Sequence, residues 1–203
     1  MICDMDDISA PPQALADDAV DAVARILDRD GLAGLSMTAI AQEAGLSRVT
    51  LHRRGASIDQ YVIAVLSRAS SDLRTSLWPV LTGAGTAADR LDAALEALCR
   101  TCERHAGVMT AMYGQPPWHL PDQPKRTTSF EFIEPFERLL RDGAIDGSLT
   151  VDEPLLDATI TANAVAWTYL HMRRAHGWDE DRARTRTIAL AAAHLKPTIP
   201  QTP

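Results

Sequence analysis

The stretch LSMTAIAQEAGLSRVTLHRR, residues 35–54, decides the fold of this chain. Ser36 can cap a short helix over about residues 37–44, because a serine hydroxyl accepts a hydrogen bond from an otherwise unpaired N–H group of the first turn. Gly45 then permits the left-handed backbone of a tight turn, and Ser47 can cap a second short helix that runs to the end of the stretch. Two short helices joined by a glycine-containing turn predict a helix-turn-helix.

Helices are predicted on both sides of this motif. Before it, apolar residues recur at helical spacing over residues 15–30, and Gly31 stands at the usual position for a helix stop. After it, Ser57 can begin a long helix whose apolar stripe continues to Pro79 and which is long enough to connect two parts of the chain. No strand-like alternation occurs, so the sequence predicts an all-α protein of about nine helices.

The rest of the chain predicts a larger helical body. Residues 114–126 contain four prolines and should form an irregular loop. The predicted body helices cover about 86–107, 108–113, 130–143 with an interruption at Pro135, 152–176 after a capping Asp152, and 179–194 after a capping Asp179. The predicted divisions are a disordered arm at 1–12, a helix-turn-helix head at 13–57, a body at 58–196 and a tail at 197–203.

Composition indicates a folded, cytosolic chain. With 203 residues and 46% hydrophobic residues it can bury a sizeable core. The three cysteines are an odd number and the chain opens on the acidic stretch MICDMDD, so we expect reduced thiols and a cytoplasmic location. The longest apolar run, residues 155–172, carries Asp157 and Asn163, and we interpret it as a buried helix with no role in a membrane.

Charge is unevenly distributed along the chain. A net charge of −7 does not favour a nucleic-acid partner, because affinity for DNA comes largely from Lys and Arg at phosphates. Residues 47–54, however, hold three arginines, Arg48, Arg53 and Arg54, and no acidic residue. A basic patch on an acidic chain predicts weak non-specific binding that relies on one positioned element.

The order of residues in 35–54, with Leu-Ser-Met-Thr-x-Ile-Ala, then Ala-Gly-Leu-Ser, then Val-Thr-Leu, resembles the DNA-binding signature of the TetR family of bacterial repressors. The resemblance covers about residues 15–66, and the body is similar in helix number and length. It implies a ligand-responsive repressor that a small, partly apolar effector releases from a pseudo-palindromic double-stranded operator. It also implies a homodimer formed through the last two long helices. No enzymatic activity, cofactor or metal is expected.

The second helix of the motif supplies the predicted DNA contacts. A recognition helix places its first residues at base edges in the major groove, so Arg48 and Thr50 are the candidates for reading bases. Val49 is expected to pack against Ile40 instead. The expected phosphate contacts come from Ser36, Thr38, Ser47, His52, Arg53 and Arg54.

Some positions depart from the family pattern. The family usually has Tyr-x-His-Phe and then Ser-Lys, whereas this chain has His52, Arg53, Arg54 and Gly55, followed by Ser57-Ile58. The tyrosine hydroxyl and lysine ammonium that commonly contact phosphate in the family are therefore missing. An alternative hypothesis is a ligand-binding sensor or scaffold of the same fold that has lost DNA binding.

Two features of the body bear on partners. Ala158, Ala162 and Ala166 recur every four residues, which lets another helix approach closely and is compatible with a dimer face on the penultimate helix. Met and aromatic side chains suit an irregular apolar ligand, and His105 or Asn163 could orient it. The candidate pocket residues, each of which could equally be plain core, are Trp78, Cys102, His105, Met109, Met112, Tyr113, Trp118, Phe132, Phe136, Asn163 and Trp167.

Cys99, Cys102 and His105 stand at three-residue steps on one helical face. Three ligands on successive turns spread too far along the axis to close a tetrahedral metal site easily, so buried cysteines acting as small hydrophobes are the favoured interpretation. A helical enzyme that uses Cys102 and His105 is the remaining alternative.

Overall fold

The computed structural model of this chain describes residues 17–53, 57–114 and 130–195. Within these ranges the chain forms α-helices and two short 3₁₀ helices without any β-strand, which confirms the predicted all-α class. The predicted arm, most of the proline-rich loop and the tail lie outside the described residues. The helices are α1 (Asp17–Asp30), α2 (Met37–Glu43), α3 (Arg48–Arg53), α4 (Ile58–Leu81), α5 (Ala87–Arg104), α6 (Ala106–Gly114), α7 (Phe130–Asp146), α8 (Pro154–Arg174) and α9 (Glu180–Ala191).

The head forms around the inner face of α1. Its buried residues recur at helical spacing and belong to one cluster with Ile40 of α2 and Leu51 of α3. Gly31 ends α1 in a left-handed conformation with φ of 65°, and its N–H group donates to the Leu27 carbonyl at 3.1 Å. The predicted end of α1 at Asp30 and the predicted start of α2 at Met37 are confirmed, while α2 ends at Glu43, one residue before the predicted end. The predicted start of the first helix near Leu15 and the predicted end of the third near Arg54 lie outside the described residues. The buried residues of α1 are Ala19, Val20, Ala22, Val23, Ile26 and Leu27.

Helix α4 connects the head to the body. It begins at a capping box, in which the Ser57 hydroxyl accepts from the Gln60 N–H at 3.2 Å and the Gln60 side chain accepts from the Ser57 N–H at 2.8 Å. The helix packs on α1 near its start and on α5 in the body. Helix α4 is therefore one continuous element that contacts both the head and the body.

The prediction that α4 ends at Pro79 is wrong. The helix continues to Leu81, with Pro79 inside its last turn. A proline there removes one backbone hydrogen bond, and the end is closed by Thr82, whose N–H and hydroxyl both donate to the Trp78 carbonyl at 3.3 and 3.0 Å. One lost bond in the final turn is too small a penalty to stop the helix.

The body is organised around α5, which contacts α4, α7, α8 and α9. Its own capping box joins Thr86 and Asp89. Helix α8 packs on α5, α7 and α9, and the alanine stripe proposed as a dimer face, Ala158, Ala162 and Ala166, is at most 5% exposed within the single chain. These alanines therefore allow close packing inside the body and do not face a partner.

Helix α7 differs from its predicted form at two points. It passes through Pro135 without a break and continues beyond Gly143 to Asp146. Gly143 does not end the helix. Its missing side chain makes room for the Leu149 side chain, and the Leu149 N–H donates to the Gly143 carbonyl at 3.1 Å. The glycine serves packing between α7 and the following turn.

The start of α8 also differs. Asp152 does not cap the helix, and the residue at the cap position, Glu153, makes no side-chain hydrogen bond to it. Instead the Asp157 carboxylate reaches back and accepts from the N–H groups of Asp152 and Glu153, both at 3.2 Å. At the other predicted cap the expectation is confirmed, because Asp179 accepts from the Arg182 N–H at 2.8 Å and α9 follows.

Candidate nucleic-acid interface and effector cavity

The turn between α2 and α3 depends on Gly45. Its φ is 65°, a left-handed backbone that strains any residue with a side chain. The Gly45 N–H donates to the Gln42 carbonyl at 3.2 Å, and the Leu46 N–H donates to the Ala41 carbonyl at 2.9 Å. These bonds close the end of α2 and fix the point at which α3 begins, so residues 37–53 form the predicted helix-turn-helix.

Serine hydroxyls define the start of both helices. The Ser36 hydroxyl accepts from the Ala39 N–H, and the Ser47 hydroxyl accepts from the Thr50 N–H, each at 3.0 Å. The Ser47 and Thr50 hydroxyl oxygens also lie 2.8 Å apart in a hydrogen bond. Thr38, like both serines, is exposed. The polar group of Thr50 is thus engaged within α3 itself.

Helix α3 is anchored by Leu51, which is 0% exposed, and it presents its first turn to solvent. Arg48 is exposed there. The expectation that Val49 packs against Ile40 is wrong, because Val49 is 62% exposed while Leu51 occupies the buried position beside the head core. We call the exposed side chains of Ser47, Arg48 and Val49 the reading face.

The other predicted contact residues are only partly placed. His52 and Arg53 belong to α3, but their side chains lie outside the described part of the structure. Arg54 and Gly55 lie outside it altogether. The structure therefore brings Ser36, Thr38 and the reading face onto one helix-turn-helix unit, while the basic end of the motif stays a prediction.

Glu43 at the end of α2 is a residue that the sequence analysis missed. Its carboxylate accepts from Arg25 Nε at 2.8 Å and from Arg29 Nη1 at 3.2 Å, and Arg25 also donates to the Glu43 carbonyl at 3.2 Å. The hydrogen bond from Arg25, followed by that from Arg29, holds the pKa of Glu43 below its usual value. This clamp fixes α2 on α1 and neutralises an acidic group close to the basic motif. In the sequence, the spacing of Arg25 and Arg29, four residues apart on one face of α1, is the signal that could have indicated an acidic partner.

The head touches the body at a close contact between α1 and α6. The Asp28 carboxylate accepts from the Gly107 N–H at 2.7 Å. A side-chain carbon at Gly107 would lie 2.5 Å from that carboxylate oxygen and 2.6 Å from the backbone of both Leu27 and Asp28. Only glycine allows the two helices to approach so closely. A second contact is the salt bridge between Arg68 Nη2 of α4 and Asp17 Oδ1 of α1, at 2.9 Å.

A cavity of about 300 Å³ lies beside this contact, between the end of α1, α6 and the end of α8. It is mainly apolar, with Arg174, Thr110 and Asp28 as its polar groups. Among the predicted pocket residues whose side chains the structure describes, none lines it. Its lining residues are Leu27, Asp28, Gly31, Leu32, Ala106, Gly107, Thr110, Ala111 and Arg174.

The predicted pocket residues are scattered. Trp78 is 70% exposed and Trp167 is 44% exposed, so both lie at the surface and we leave them out of the proposed pocket. Asn163 donates its amide to the Thr159 carbonyl at 2.8 Å. Tyr113 has its side chain, and Trp118 its whole residue, outside the described part. The remaining candidates lie at least partly inside the body, namely Cys102, His105, Met109, Met112, Phe132 and Phe136.

The two described cysteines and His105 do not converge. Cys99 and Cys102 are buried, and burial raises the pKa of both thiols, that of Cys99 to about 12. His105 Nε2 lies 2.8 Å from an Asp72 carboxylate oxygen, and this hydrogen bond lowers the pKa of Asp72. Among the residues that the structure describes, no group of three ligating side chains is placed to hold a metal ion.

A polar network inside the body joins α5 to α8. Arg173 Nε donates to the Glu103 carboxylate at 2.9 Å, and the Tyr169 hydroxyl donates to the same oxygen at 2.9 Å. The hydrogen bond from Arg173 holds the pKa of Glu103 below its usual value. This network fixes the end of α8 near the cavity, where Arg174 follows Arg173.

None of the helices in the described ranges is long and apolar enough to cross a membrane. No family model and no curated protein matches the chain. Several solved structures match its fold over most of its length. A TetR/AcrR-family regulator from Thermobifida fusca is 18% identical, with a TM-score of 0.66 over 85% of this chain and 93% of that one.

Two further structures agree with this result. The TetR-family regulator PfmR from Thermus thermophilus is 18% identical, with a TM-score of 0.67 over 85% of this chain and 96% of that one. SmeT, solved as a complex with triclosan, is 17% identical, with a TM-score of 0.63 over 91% of this chain and 94% of that one. The chain therefore has the fold of the TetR family, with a helix-turn-helix head on an all-helical body.

Proposed function

We propose that this chain is a DNA-binding transcriptional regulator that responds to a ligand, acting as a repressor that a small effector releases from its operator. The observation that carries the proposal is the reading face, where Arg48 and Val49 project from a helix that Leu51 anchors in the head. An arginine at the first turn of such a helix can form two hydrogen bonds to a guanine edge in the major groove. The fold that the chain shares with solved regulators supports the same conclusion.

Two copies of the head are needed to read a two-fold symmetric operator. Helix α8 exposes Leu156, Ile160 and Trp167, which follow one face at helical spacing and are 44–52% exposed. Leu190 of the neighbouring α9 is 75% exposed. Apolar side chains in a row along a surface helix favour burial against a partner. We therefore place the homodimer interface on this outer face of α8 and α9, in place of the alanine stripe.

The proposed effector response runs through the contact between α6 and α1. An effector bound in the cavity of about 300 Å³ beside this contact, against Ala106 and Arg174, would shift α6, whose Gly107 N–H donates to Asp28 of the head. Because backbone atoms meet there without intervening side chains, a movement of α6 displaces α1 by a similar distance. The two reading faces then change their separation, and operator affinity falls. Unchanged operator affinity with every small molecule that binds the body would contradict this mechanism.

Selection of bound sequences from a random duplex library, with the full chain as bait, tests DNA binding itself. We expect a pseudo-palindromic winner whose half-sites are separated by about one helical turn of DNA or a multiple of it. Failure to enrich any sequence above non-specific binding would instead favour a ligand sensor of this fold that does not bind DNA. Sedimentation of the complex on the selected duplex should give an even number of chains per duplex.

A further inference from the structure

Val49 is the apolar member of the reading face. It is the second residue of α3 and is 62% exposed, although the head core lies directly beneath the same helix. That core is already filled, because Ile40 and Leu51 are each 0% exposed. Val49 therefore contributes much less to head packing than Ile40 or Leu51 does, and its two methyl groups point away from the core.

The hydroxyl groups of Ser47 and Thr50, on either side of Arg48 and Val49, are engaged with each other. The Ser47 hydroxyl accepts from the Thr50 N–H at 3.0 Å and shares a hydrogen bond with the Thr50 hydroxyl at 2.8 Å. These bonds hold the first turn of α3 together and hold the side chain of Thr50 against Ser47. Thr50 is half-buried, so the most exposed side chains of this turn besides Ser47 are the guanidinium of Arg48 and the methyl groups of Val49.

Base edges in the major groove of unmodified DNA present hydrogen-bonding groups and one apolar group, the C5-methyl of thymine. We infer that Val49 reads the C5-methyl group of a thymine in each half-site of the operator. The inference rests on the proposed DNA-binding function and adds to it the residue that selects this base. Arg48 supplies a hydrogen-bonded contact beside it, so each half-site is read by one polar and one apolar side chain.

Deoxyuridine lacks only the methyl group of thymine, so it tests this contact directly. Each thymine of the selected operator is replaced in turn, symmetrically in both half-sites, and the duplexes are titrated with wild-type protein and with Val49→Ala. At one position we expect wild-type affinity to fall about three- to five-fold for each half-site, as the loss of one buried methyl contact predicts. Val49→Ala should bind the thymine duplex about as weakly as wild type binds the deoxyuridine duplex, with a ratio between the two duplexes below two-fold.

A matched control is Ile145→Ala, which removes an apolar side chain that is 85% exposed at the far end of α7. It should keep both the wild-type affinity and the full preference for thymine. Two results would overturn the inference while leaving DNA binding intact. In the first, wild type binds every deoxyuridine duplex within two-fold of its affinity for the thymine duplex; in the second, Val49→Ala keeps the wild-type preference for thymine. Absence of any specific binding by wild type would overturn the proposed function and this inference together. Circular dichroism of Val49→Ala should match wild type, since the side chain is exposed.

Discussion

Replacing Gly107 by alanine should disrupt the contact between head and body. The added carbon would lie 2.6 Å from the backbone of Leu27 and Asp28, whereas ordinary van der Waals contact begins at 3.4 Å, so α1 and α6 must separate by about 0.8 Å. Such a separation also stretches the 2.7 Å hydrogen bond from the Gly107 N–H to the Asp28 carboxylate. Overpacking of this kind costs about 1–3 kcal/mol. In an ordinary helix a change from glycine to alanine stabilises the protein by up to about 1 kcal/mol. A loss of stability at Gly107 would therefore show that the close contact between α1 and α6 requires glycine.

Urea unfolding of Gly107→Ala and wild type, followed by operator titration, measures both consequences. We expect a lower midpoint and an operator affinity that differs from wild type, because the head is displaced from its resting position. Glu134→Ala, at an exposed position on α7, is the control and should change neither quantity by more than about 0.5 kcal/mol. A Gly107→Ala variant that is as stable as wild type and binds operator equally well would refute the idea that α6 and α1 move together.

Three further predictions concern the cores of the head and body. Leu51→Ala should lower the free energy of unfolding by about 2–5 kcal/mol in urea titrations and weaken operator binding, because it removes the anchor of α3. Glu103→Gln should lower the free energy of unfolding by about 1–2 kcal/mol at pH 7. Because Arg173 lowers the pKa of Glu103 in the folded protein, this loss should be full above the ordinary pKa of about 4.3 and should disappear as the pH falls through the lowered pKa. A loss that does not change with pH would contradict the pairing. Cys99 and Cys102 should resist a thiol reagent at pH 8 until the body unfolds, because burial raises both pKa values; rapid labelling of either in the native protein would show that the body opens.

The head could be predicted from the sequence because its determinants are local. Ser36 and Ser47 cap their own helices, and Gly31 and Gly45 adopt the left-handed backbone that only local sequence needs to specify. The fold class followed from helical periodicity in the same way. The direction in which Val49 points could not be predicted in this way, because α3 is only six residues long and its two apolar positions compete for one buried site.

The ends of two body helices depend on the residues that follow the expected stop. Gly143 was expected to stop α7, but its role is to make room for Leu149, which only the folded body reveals. Pro79 was expected to stop α4, and the helix tolerates it because Thr82 closes the last turn. A proline or glycine therefore need not end a helix when the residues that follow it satisfy the carbonyl groups of the last turn.

The effector site was the least predictable part. Residue type alone does not reveal which face of a helix is covered, so Trp78 and Trp167 were grouped with side chains such as Phe136 that lie deep in the core. The cavity near Arg174 joins small residues from α1, α6 and α8 that no sequence pattern connects. Such a site becomes visible only when the helices are packed together.

The central claim is that the reading face binds specific DNA, and titration of the selected operator tests it most directly. Wild type, Arg48→Ala and the control Arg138→Ala, which removes an equal charge from an exposed position on α7, are compared at several salt concentrations. The account predicts that Arg48→Ala loses about 1–3 kcal/mol of binding free energy on the operator and much less on unrelated DNA, while Arg138→Ala binds as wild type does. Equal binding by all three proteins, or equal losses in both variants, would contradict it.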